Sequence, residues 1–309
     1  MERRTMFKAK VLLLIAMTLA LALLVWRANA EPPRANASVQ SEDDDSELML
    51  HDQETIRKTF SLTAPHKILE VDNVFGSIEV TGGQSDQVQL VVNKTIRAES
   101  KERMEAAKKE VKLDITEQPD LLKLYVDGPF RCRCDDGCDG WHGDRGYSVR
   151  MDFTLQVPRN IELKLRTVNS GHVNVKNVNG NFSVHNVNGS IEMLDVAGSG
   201  QARTVNGPVK VTFTENPRER SDFGTINGNV ELTFVRGLAA DFRFKTMNGG
   251  IYSDFEMTSL PTRPVASEQR NGHFVYRSDR FTGGRVGAGG PEIKIENLNG
   301  DIRVLERHD

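Results

Sequence analysis

The chain has little of several residue types that define common protein classes. Among its 309 residues there are only 3 cysteines, 2 tryptophans and 11 prolines, and aromatic residues make up 6%. Three cysteines are too few for a disulfide-framed miniprotein, and 26 glycines are too few for a collagen-like chain. The hydrophobic share of 38% is too high for a wholly disordered protein, so we expect a folded core.

The chain also has no excess of positive or negative charge over residues 56–309. The formal net charge is −3, and residues 56–309 hold 34 basic and 34 acidic side chains. General nucleic-acid binding depends on a basic surface that neutralises phosphates, so this balance argues against a nucleic-acid partner. Gly-x-Ser-x-Gly, His-Glu-x-x-His, Walker and dinucleotide-binding motifs are absent from the sequence. We therefore expect no cofactor and no enzyme activity.

A long apolar run occurs only once, near the start of the chain. Four basic residues precede the 16-residue apolar segment 11–26, and Ala28-Asn29-Ala30 follows it in the small-x-small form of a cleavage site. This pattern predicts a signal peptide over residues 1–30 and export to the periplasm, the cell surface or the medium. An uncleaved N-terminal membrane anchor is the alternative, although a membrane span needs about 20 residues.

Two further segments complete the expected organisation. Residues 31–55 contain two prolines and the acidic run 42–45, which predicts a disordered acidic linker. Residues 56–309 then form a single β-repeat domain. Within it, residues 99–112 lack glycine and proline and place Met104, Ala107 and Val111 on one helical face, so they predict one short amphipathic helix.

A nine-residue repeat dominates the middle of the chain. It is marked by glycines at constant spacing, namely Gly171, Gly180, Gly189, Gly198 and Gly207. Counted from each glycine, the second, fourth and seventh positions are mostly apolar and are expected to face one core, whereas the first and third positions are mostly polar. Such a regular period indicates a repeat architecture. The second and fourth positions fit one face of a strand, but the seventh breaks that alternation, so each unit needs a corner.

Asn-Gly pairs provide that corner, because both residue types tolerate turn conformations. The residues predicted to form structural turns are Asn179, Gly180, Asn188, Gly189, Asn206, Gly207, Asn227, Gly228, Asn248, Gly249, Asn299 and Gly300. The polar sixth position of each unit is a second candidate for a corner. We therefore predict an all-β fold, with a β-solenoid or β-helix-like stack favoured. The alternative is an antiparallel β-meander or sandwich that turns at Asn-Gly.

The order of these features resembles the bacterial putative adhesin family, a family of exported β-strand-repeat domains. The resemblance rests on the phrase at residues 71–80, the charged helix, the Val157-Pro158 step, Thr167-Val168-Asn169 and the repeated Val-Asn-Gly units, and covers about residues 60–305. It implies a β-solenoid-like exported domain. It brings no catalytic residues with it, and it does not account for residues 129–146.

That Cys-rich insertion contains the one set of candidate metal ligands in the sequence. Cys132, Cys134, Cys138 and His142 have the sulfur and nitrogen donors that a tetrahedral zinc site requires. Their spacing differs from the usual paired Cys-x-x-Cys arrangement. In an oxidising compartment, a disulfide with one remaining thiol is the alternative, and three reduced surface cysteines are another.

The sequence thus favours an exported, non-enzymatic envelope or surface protein with an adhesin-like binding or scaffolding role. Its expected partner is an envelope or surface component, either protein or glycan, and the membrane is contacted only through the N-terminal segment if that remains uncleaved. The alternative function is an envelope polysaccharide-active enzyme. That reaction needs a pair of carboxylates, which would have to be assembled by loops such as 214–222 or 254–290.

Overall fold

The protein is described by a computed structural model that covers residues 50–131, 145–261, 266–270, 273–277 and 281–308. These residues form 23 strands and one helix, α1 (Lys101–Glu110). The strands of the first half are β1 (Leu50–Ser61), β2 (Ile68–Asp72), β3 (Ile78–Gly83), β4 (Gln87–Ala98), β5 (Lys112–Glu117), β6 (Leu121–Asp127), β7 (Tyr147–Pro158), β8 (Glu162–Arg166), β9 (Val173–Lys176), β10 (Phe182–His185) and β11 (Ile191–Val196). The remaining strands are β12 (Gly200–Arg203), β13 (Val209–Phe213), β14 (Ser221–Asn227), β15 (Val230–Phe234), β16 (Ala240–Lys245), β17 (Ile251–Ser253), β18 (Thr258–Leu260), β19 (Ala266–Arg270), β20 (His273–Arg277), β21 (Thr282–Val286), β22 (Glu292–Asn299) and β23 (Ile302–Glu306).

The strands form two large mixed sheets and one hairpin, β19–β20. The first sheet has 10 strands in the order β1-β4-β7-β3-β9-β11-β13-β15-β23-β17. The second sheet has 11 strands in the order β18-β21-β16-β22-β14-β12-β10-β8-β2-β6-β5. The predicted all-β class is therefore confirmed, and the two-sheet arrangement is compatible with the sandwich-like alternative.

Successive repeat units enter the two sheets alternately. Strands β8 to β16 belong in turn to the second and the first sheet, and neighbouring strands within each sheet run parallel in this region. Ile191 of β11 pairs with Val173 and with Val209, which lie eighteen residues before and after it. Two nine-residue units thus separate neighbouring strands of one sheet. The C-terminal strands β22 and β23 insert before the last repeat strands, β22 between β14 and β16 and β23 between β15 and β17.

The core lies between the two sheets and consists mainly of the second and fourth positions of the repeat. Those positions are buried, as predicted, at Val173, Val175, Phe182, Val184, Ile191, Met193, Ala202, Val209 and Val211. Phenylalanines from both sheets meet across the core. Phe213 of the first sheet lies edge-on to Phe223 of the second at 6.2 Å, and it stacks on Phe234 at 5.1 Å. Such aromatic pairs contribute about 0.5–1.5 kcal/mol beyond their burial.

The seventh position differs from the expectation that it faces one shared core. Val178 and Val196 are buried, but Val187 and Val205 are partly exposed. The difference arises because consecutive units turn at opposite ends of the sheets. Connections from the first to the second sheet turn this side chain inward, whereas connections from the second to the first sheet turn it outward.

Helix α1 confirms the predicted amphipathic helix, with ends slightly inside the expected range of 99–112. The Ser100 side chain accepts the backbone N–H of Arg103 at 3.3 Å and so caps the first turn. Met104 and Ala107 are buried, as is Val111 just after the helix. The Lys94 ammonium donates to the Val111 carbonyl at 2.8 Å, and burial lowers the pKa of Lys94.

Strand β1 begins at Leu50, inside the range 31–55 that was expected to be a linker. The end of the predicted linker therefore belongs to the folded domain. β1 pairs antiparallel with β4 along its whole length and forms the outer edge of the first sheet. An edge strand tolerates the polar residues that suggested a linker, because one of its faces and one of its backbone sides remain solvated. Residues 31–49 and the predicted signal peptide lie outside the described residues.

Candidate functional site

The connections from the second sheet to the first share a ladder of asparagine side chains. We call this end of the sheets the amide corner. After the first asparagine of the ladder, each amide nitrogen donates to the side-chain oxygen of the preceding member, at 2.7–2.8 Å. The members, in spatial order, are Asn169, Asn188, Asn206, Asn227, Asn299 and Asn248. The ladder joins strands that are distant in sequence and holds the corner in register.

From Asn188 onward, a glycine follows each ladder asparagine because successive corners approach closely. A Cβ atom at Gly189 would collide with the carbonyl oxygen of Gly171, and the same holds for Gly228 against Gly207. A buried hydroxyl supports the approach, since Thr204 Oγ1 donates to the Gly189 carbonyl at 2.8 Å. Its equivalents at Thr167, Asn186, Thr225 and Asn297 bind the corresponding glycine carbonyls at 2.8–2.9 Å.

The sequence predicted Asn-Gly turns in which both residues could adopt positive φ. In the described residues, the non-glycine positions with positive φ are Ser170, Asn177 and Asp195, and none of the predicted turn asparagines is among them. Asn177 and Asp195, with φ of 57° and 53°, occupy the sixth repeat position. That position supplies the corner in units that pass from the first sheet to the second. In the other units the sixth position is a buried Asn or Thr.

An aliphatic ridge runs along the outside of the amide corner. It consists of the residue that precedes each ladder asparagine from Asn188 onward, namely Val187, Val205, Ile226, Leu298 and Met247 in spatial order. Neighbouring strands lie about 4.8 Å apart, so the five side chains extend over about 19 Å. Val187 and Val205 are partly exposed, whereas the exposed fractions of Ile226, Leu298 and Met247 are 43%, 37% and 69%. Val187 and Val205 belong to the seventh repeat column, which was expected to face the core.

A groove of about 500 Å³ lies between this ridge and the outer face of the second sheet. Its apolar wall includes Ile226, Leu298 and Met247, and its polar wall includes His185, Arg203, Lys245 and Glu296. Gly224 also lines the groove. It pairs with Arg203 on one side and with Glu296 on the other. Because Gly224 has no side chain, the row of long polar side chains across the sheet is interrupted at this point.

An ion-pair network fixes the polar wall of this ridge groove. Arg203 Nε donates to Asp222 at 2.7 Å, and Lys245 Nζ donates to Glu296 at 2.5 Å. Lys294 lies 3.3 Å from Glu296, and its ammonium also sits 4.9 Å from the centre of the Phe281 ring. Burial pushes the pKa of Glu296 upward, but the hydrogen bond from Lys245 and the charge of Lys294 together hold that pKa below its usual value. Glu296 is therefore ionised at neutral pH.

His185 lies between two arginines on this wall. It pairs with Arg166 on one neighbouring strand and with Arg203 on the other. Burial lowers the pKa of His185, and the positive charges of Arg166 and Arg203 lower it further. The imidazole is therefore neutral at pH 7, and the cationic character of this face comes from the arginines and lysines.

The opposite corner carries the other predicted turn residues and a second cleft. Its volume is about 370 Å³, and its lining includes Asn179, Gly180 and the loop that follows β13. That loop lies within residues 214–222, where sequence analysis sought an acid pair. It places Glu215 and Glu219 at the same cleft. Arg218 forms an ion pair with Glu215 at 3.2 Å.

The outer face of the first sheet brings together a hydroxyl, an imidazole and a carboxylate that sequence analysis did not connect. Ser77 Oγ lies 3.4 Å from His172 Nδ1, and His172 Nε2 lies 3.4 Å from Glu79 Oε1. Both distances are long for hydrogen bonds, and Ser77 is buried. Ser77 Oγ also accepts from Arg150 at 3.4 Å. A serine nucleophile must be accessible to substrate, so we read this group as a structural polar cluster.

The candidate metal ligands Cys132, Cys134, Cys138 and His142 lie outside the described residues. Within the described ranges, no group of three or more His, Cys, Asp or Glu side chains is placed to hold a metal ion. The same part of the chain includes no helix with the length and apolar character needed to cross a membrane. The state of the cysteine cluster thus remains a prediction from the sequence.

Comparison with known proteins gave matches among solved structures alone. No family model matches the chain, and no curated protein matches it. The chain is similar to a putative cell adhesion protein from Clostridium sporogenes, with 11% identity, a TM-score of 0.32, and coverage of 83% of this chain and 100% of that one. It is similar to a putative adhesin from Bacteroides fragilis, with 11% identity, a TM-score of 0.35, and coverage of 82% and 97%. It is also similar to a putative lipid binding protein from Parabacteroides distasonis, with 13% identity, a TM-score of 0.25, and coverage of 82% and 97%.

Proposed function

We propose that the protein is an exported, non-enzymatic envelope protein with an adhesin-like binding or scaffolding role, and that it binds through the amide corner. One observation carries this proposal. The large apolar side chains that are exposed in the described residues all lie at or directly beside that corner, at Ile226, Met247, Ile251, Tyr252 and Leu298. Exposed apolar clusters rimmed by polar side chains are typical of interaction surfaces.

The chemistry of the ridge groove supports an amphiphilic partner. One wall is aliphatic, and on the other wall the cations Arg203 and Lys245 outnumber the single acid Glu296 among the residues that line the groove. A partner with hydrocarbon groups and a smaller number of acidic groups would bury the ridge and complement the excess positive charge. An envelope amphiphile of that composition is therefore the partner class that we assign to this surface.

We further infer that the repeat region is a two-sided β-solenoid, with one coil formed by two nine-residue units. The parallel pairing at eighteen-residue intervals and the stacked Asn and Gly positions support this architecture. In a solenoid, equivalent side chains of successive coils form continuous lines on the surface. The repeat would thus generate the ridge directly, since the same position of each coil contributes one of its side chains.

Cosedimentation of the purified protein with isolated bacterial envelope tests the proposed binding. We expect saturable retention that persists at high salt, because burial of the ridge is driven by apolar contact rather than by charge alone. Replacing the two most C-terminal ridge residues in the double variant Met247→Ser/Leu298→Ser should weaken retention about tenfold or more, since each buried side chain contributes on the order of 1.5 kcal/mol.

Gln201→Ser is the matched control for this experiment. Gln201 is exposed on the second sheet but does not line the ridge groove, so its replacement should leave retention unchanged. Circular dichroism would establish that both variants are folded. Equal retention of the wild type and the folded ridge variant would overturn the proposal, as would a complete lack of retention for the wild type.

A further inference from the structure

The cleft at the opposite corner begins at a break in a second line of asparagines. Asn160, Asn179 and Ala197 occupy equivalent places there, joined by parallel bridges between Asn160 and Asn179 and between Asn179 and Ala197. At the amide corner, each asparagine oxygen accepts an N–H from the next side chain of the ladder. Ala197 has no amide to donate, and Asn179 Oδ1 is buried without a hydrogen-bond partner.

An unpaired buried acceptor is costly for a folded protein and requires an explanation. An asparagine in place of Ala197 would put an amide donor beside Asn179, as in the ladder of the amide corner, so the repeat itself offers a simple way to pair Asn179. The chain instead has a small residue at this position and a cleft beside it, lined by both Asn179 and Ala197. The side-chain oxygen of Asn179 is thus left without a hydrogen-bond partner in a residue that lines a cavity.

The opposite wall of the cleft is held in place by hydrogen bonds. Buried Ser199 accepts the backbone N–H groups of Arg218 and Glu219 at 3.1 and 3.0 Å. The Asn216 side chain bonds both the N–H and the carbonyl of Val235 at 3.1 Å. These contacts fix the loop after β13 over the cleft, so the cavity exists before any ligand binds.

The lining of the cleft indicates the chemical class of its ligand. No large apolar side chain is among the residues that line it, and its volume of about 370 Å³ suits a small ligand. The side chains of Asn160 and Glu219 have no hydrogen-bond partner among the described residues. With Asn179, they offer amide donors together with amide and carboxylate acceptors. A ring bearing several hydroxyl groups can both donate to and accept from such a set.

We propose that this cleft is a binding site for a neutral saccharide. Glu215 and Glu219 disfavour an anionic ligand, and Arg218 neutralises one of these carboxylates. The polar lining disfavours an aliphatic ligand, which distinguishes this cleft from the ridge groove at the amide corner. This site is separate from the ridge, so an experiment can contradict saccharide binding at the cleft without contradicting envelope binding at the ridge, and the reverse.

Titration of the purified protein with soluble tetrasaccharides tests the site. The probes are tetrasaccharides of glucose, mannose and N-acetylglucosamine, followed by calorimetry and ligand-observed NMR. We expect at least one of them to bind. Ala197→Asn should abolish or weaken that binding about tenfold while raising the melting temperature, because the new amide fills the cleft and pairs with Asn179. Glu219→Gln should also weaken binding, since it replaces a charged acceptor with a neutral amide.

Lys176→Ala, an exposed change on the first sheet, is the control that should bind saccharide like the wild type. The Met247→Ser/Leu298→Ser variant should also bind normally, because its changes lie at the amide corner. If Ala197→Asn does not fold, Glu219→Gln and Asn160→Ala still test the cleft. The proposal is overturned if no probe binds the wild type, or if these cleft variants bind as well as it does.

Discussion

At the scale of single residues, His185 links the stability of the fold to pH. Its pKa in the folded protein is lowered by burial and then by Arg166 and Arg203, whereas the unperturbed imidazole titrates near 6.5. Just below that pH, the His185 imidazole is protonated in the unfolded chain but is still neutral in the folded protein. His185 therefore leaves stability unaffected above about pH 6.5 and reduces it as the pH falls from there to the lower folded-state pKa.

The variant His185→Gln should remove this contribution. We expect the wild type to lose more stability than the variant between about pH 7.5 and about pH 5.5, because the variant has no imidazole to protonate. Urea unfolding at several pH values measures the difference directly, since titrations common to both proteins cancel. Parallel plots of stability against pH for the two proteins across that range would contradict a lowered pKa of His185 in the folded protein.

At the scale of the corner, glycine is required by the distance between successive turns rather than by turn conformation alone. Gly189→Ala should destabilise the protein by about 2 kcal/mol or more, because its new methyl group meets the carbonyl of Gly171 and forces the backbone apart. Chemical denaturation would measure this loss. The expected consequence is also local, since Asn169 and Asn188 would have to separate and weaken the amide ladder.

Gly83→Ala provides the matched control for that substitution. Gly83 ends β3, and the nearest atom to its added methyl group is the Val157 carbonyl oxygen at 3.9 Å. We expect little change or a slight gain in stability, because alanine restricts the unfolded chain more than glycine does. If the two variants lose the same stability, close packing between corners is not what selects glycine in the repeat.

The comparison of sequence and structure is most instructive for these corners. Column patterns predicted the all-β class, the buried second and fourth positions and helix α1, because strand and helix periodicity depend on local spacing. These column patterns could not show that the nine-residue repeat contains two different kinds of corner. Asn177 turns the chain with positive φ, whereas Asn186 buries its amide against a neighbouring glycine carbonyl. Both are asparagine at the sixth position, and only the direction of the connection distinguishes them.

The same limit explains the errors about the candidate site. Val187 and Val196 occupy the same column, yet the first contributes to the exposed ridge and the second to the core. The groove also depends on β22, which follows β14 in space but is separated from it by more than sixty residues of chain. No spacing rule places Leu298 between Ile226 and Met247. One sequence signal was available for the cleft, namely Ala197 as the interruption of the asparagine column.

At the scale of the whole molecule, the exposed apolar residues are concentrated toward one lateral edge of the sheets, where the strand order ends. Strand β17 forms that edge of the first sheet, and Ile251 and Tyr252 are exposed on it. The other edge is the polar strand β1, with α1 packed nearby against β4. The proposed binding surface is therefore directional, since envelope contact at the amide corner would occur mainly near β14, β22 and β16.

Hydrogen–deuterium exchange, measured on the free protein and on the protein bound to isolated envelope, tests whether the amide corner is the binding surface. We predict that slowed exchange is concentrated at the exposed part of the amide corner, in residues 225–229, 246–252 and 297–301. The outer face of the first sheet around Lys176 should exchange at the same rate in both states. Protection centred on that face, or bound protein without added protection at the amide corner, would contradict the claim that the aliphatic ridge forms the binding surface.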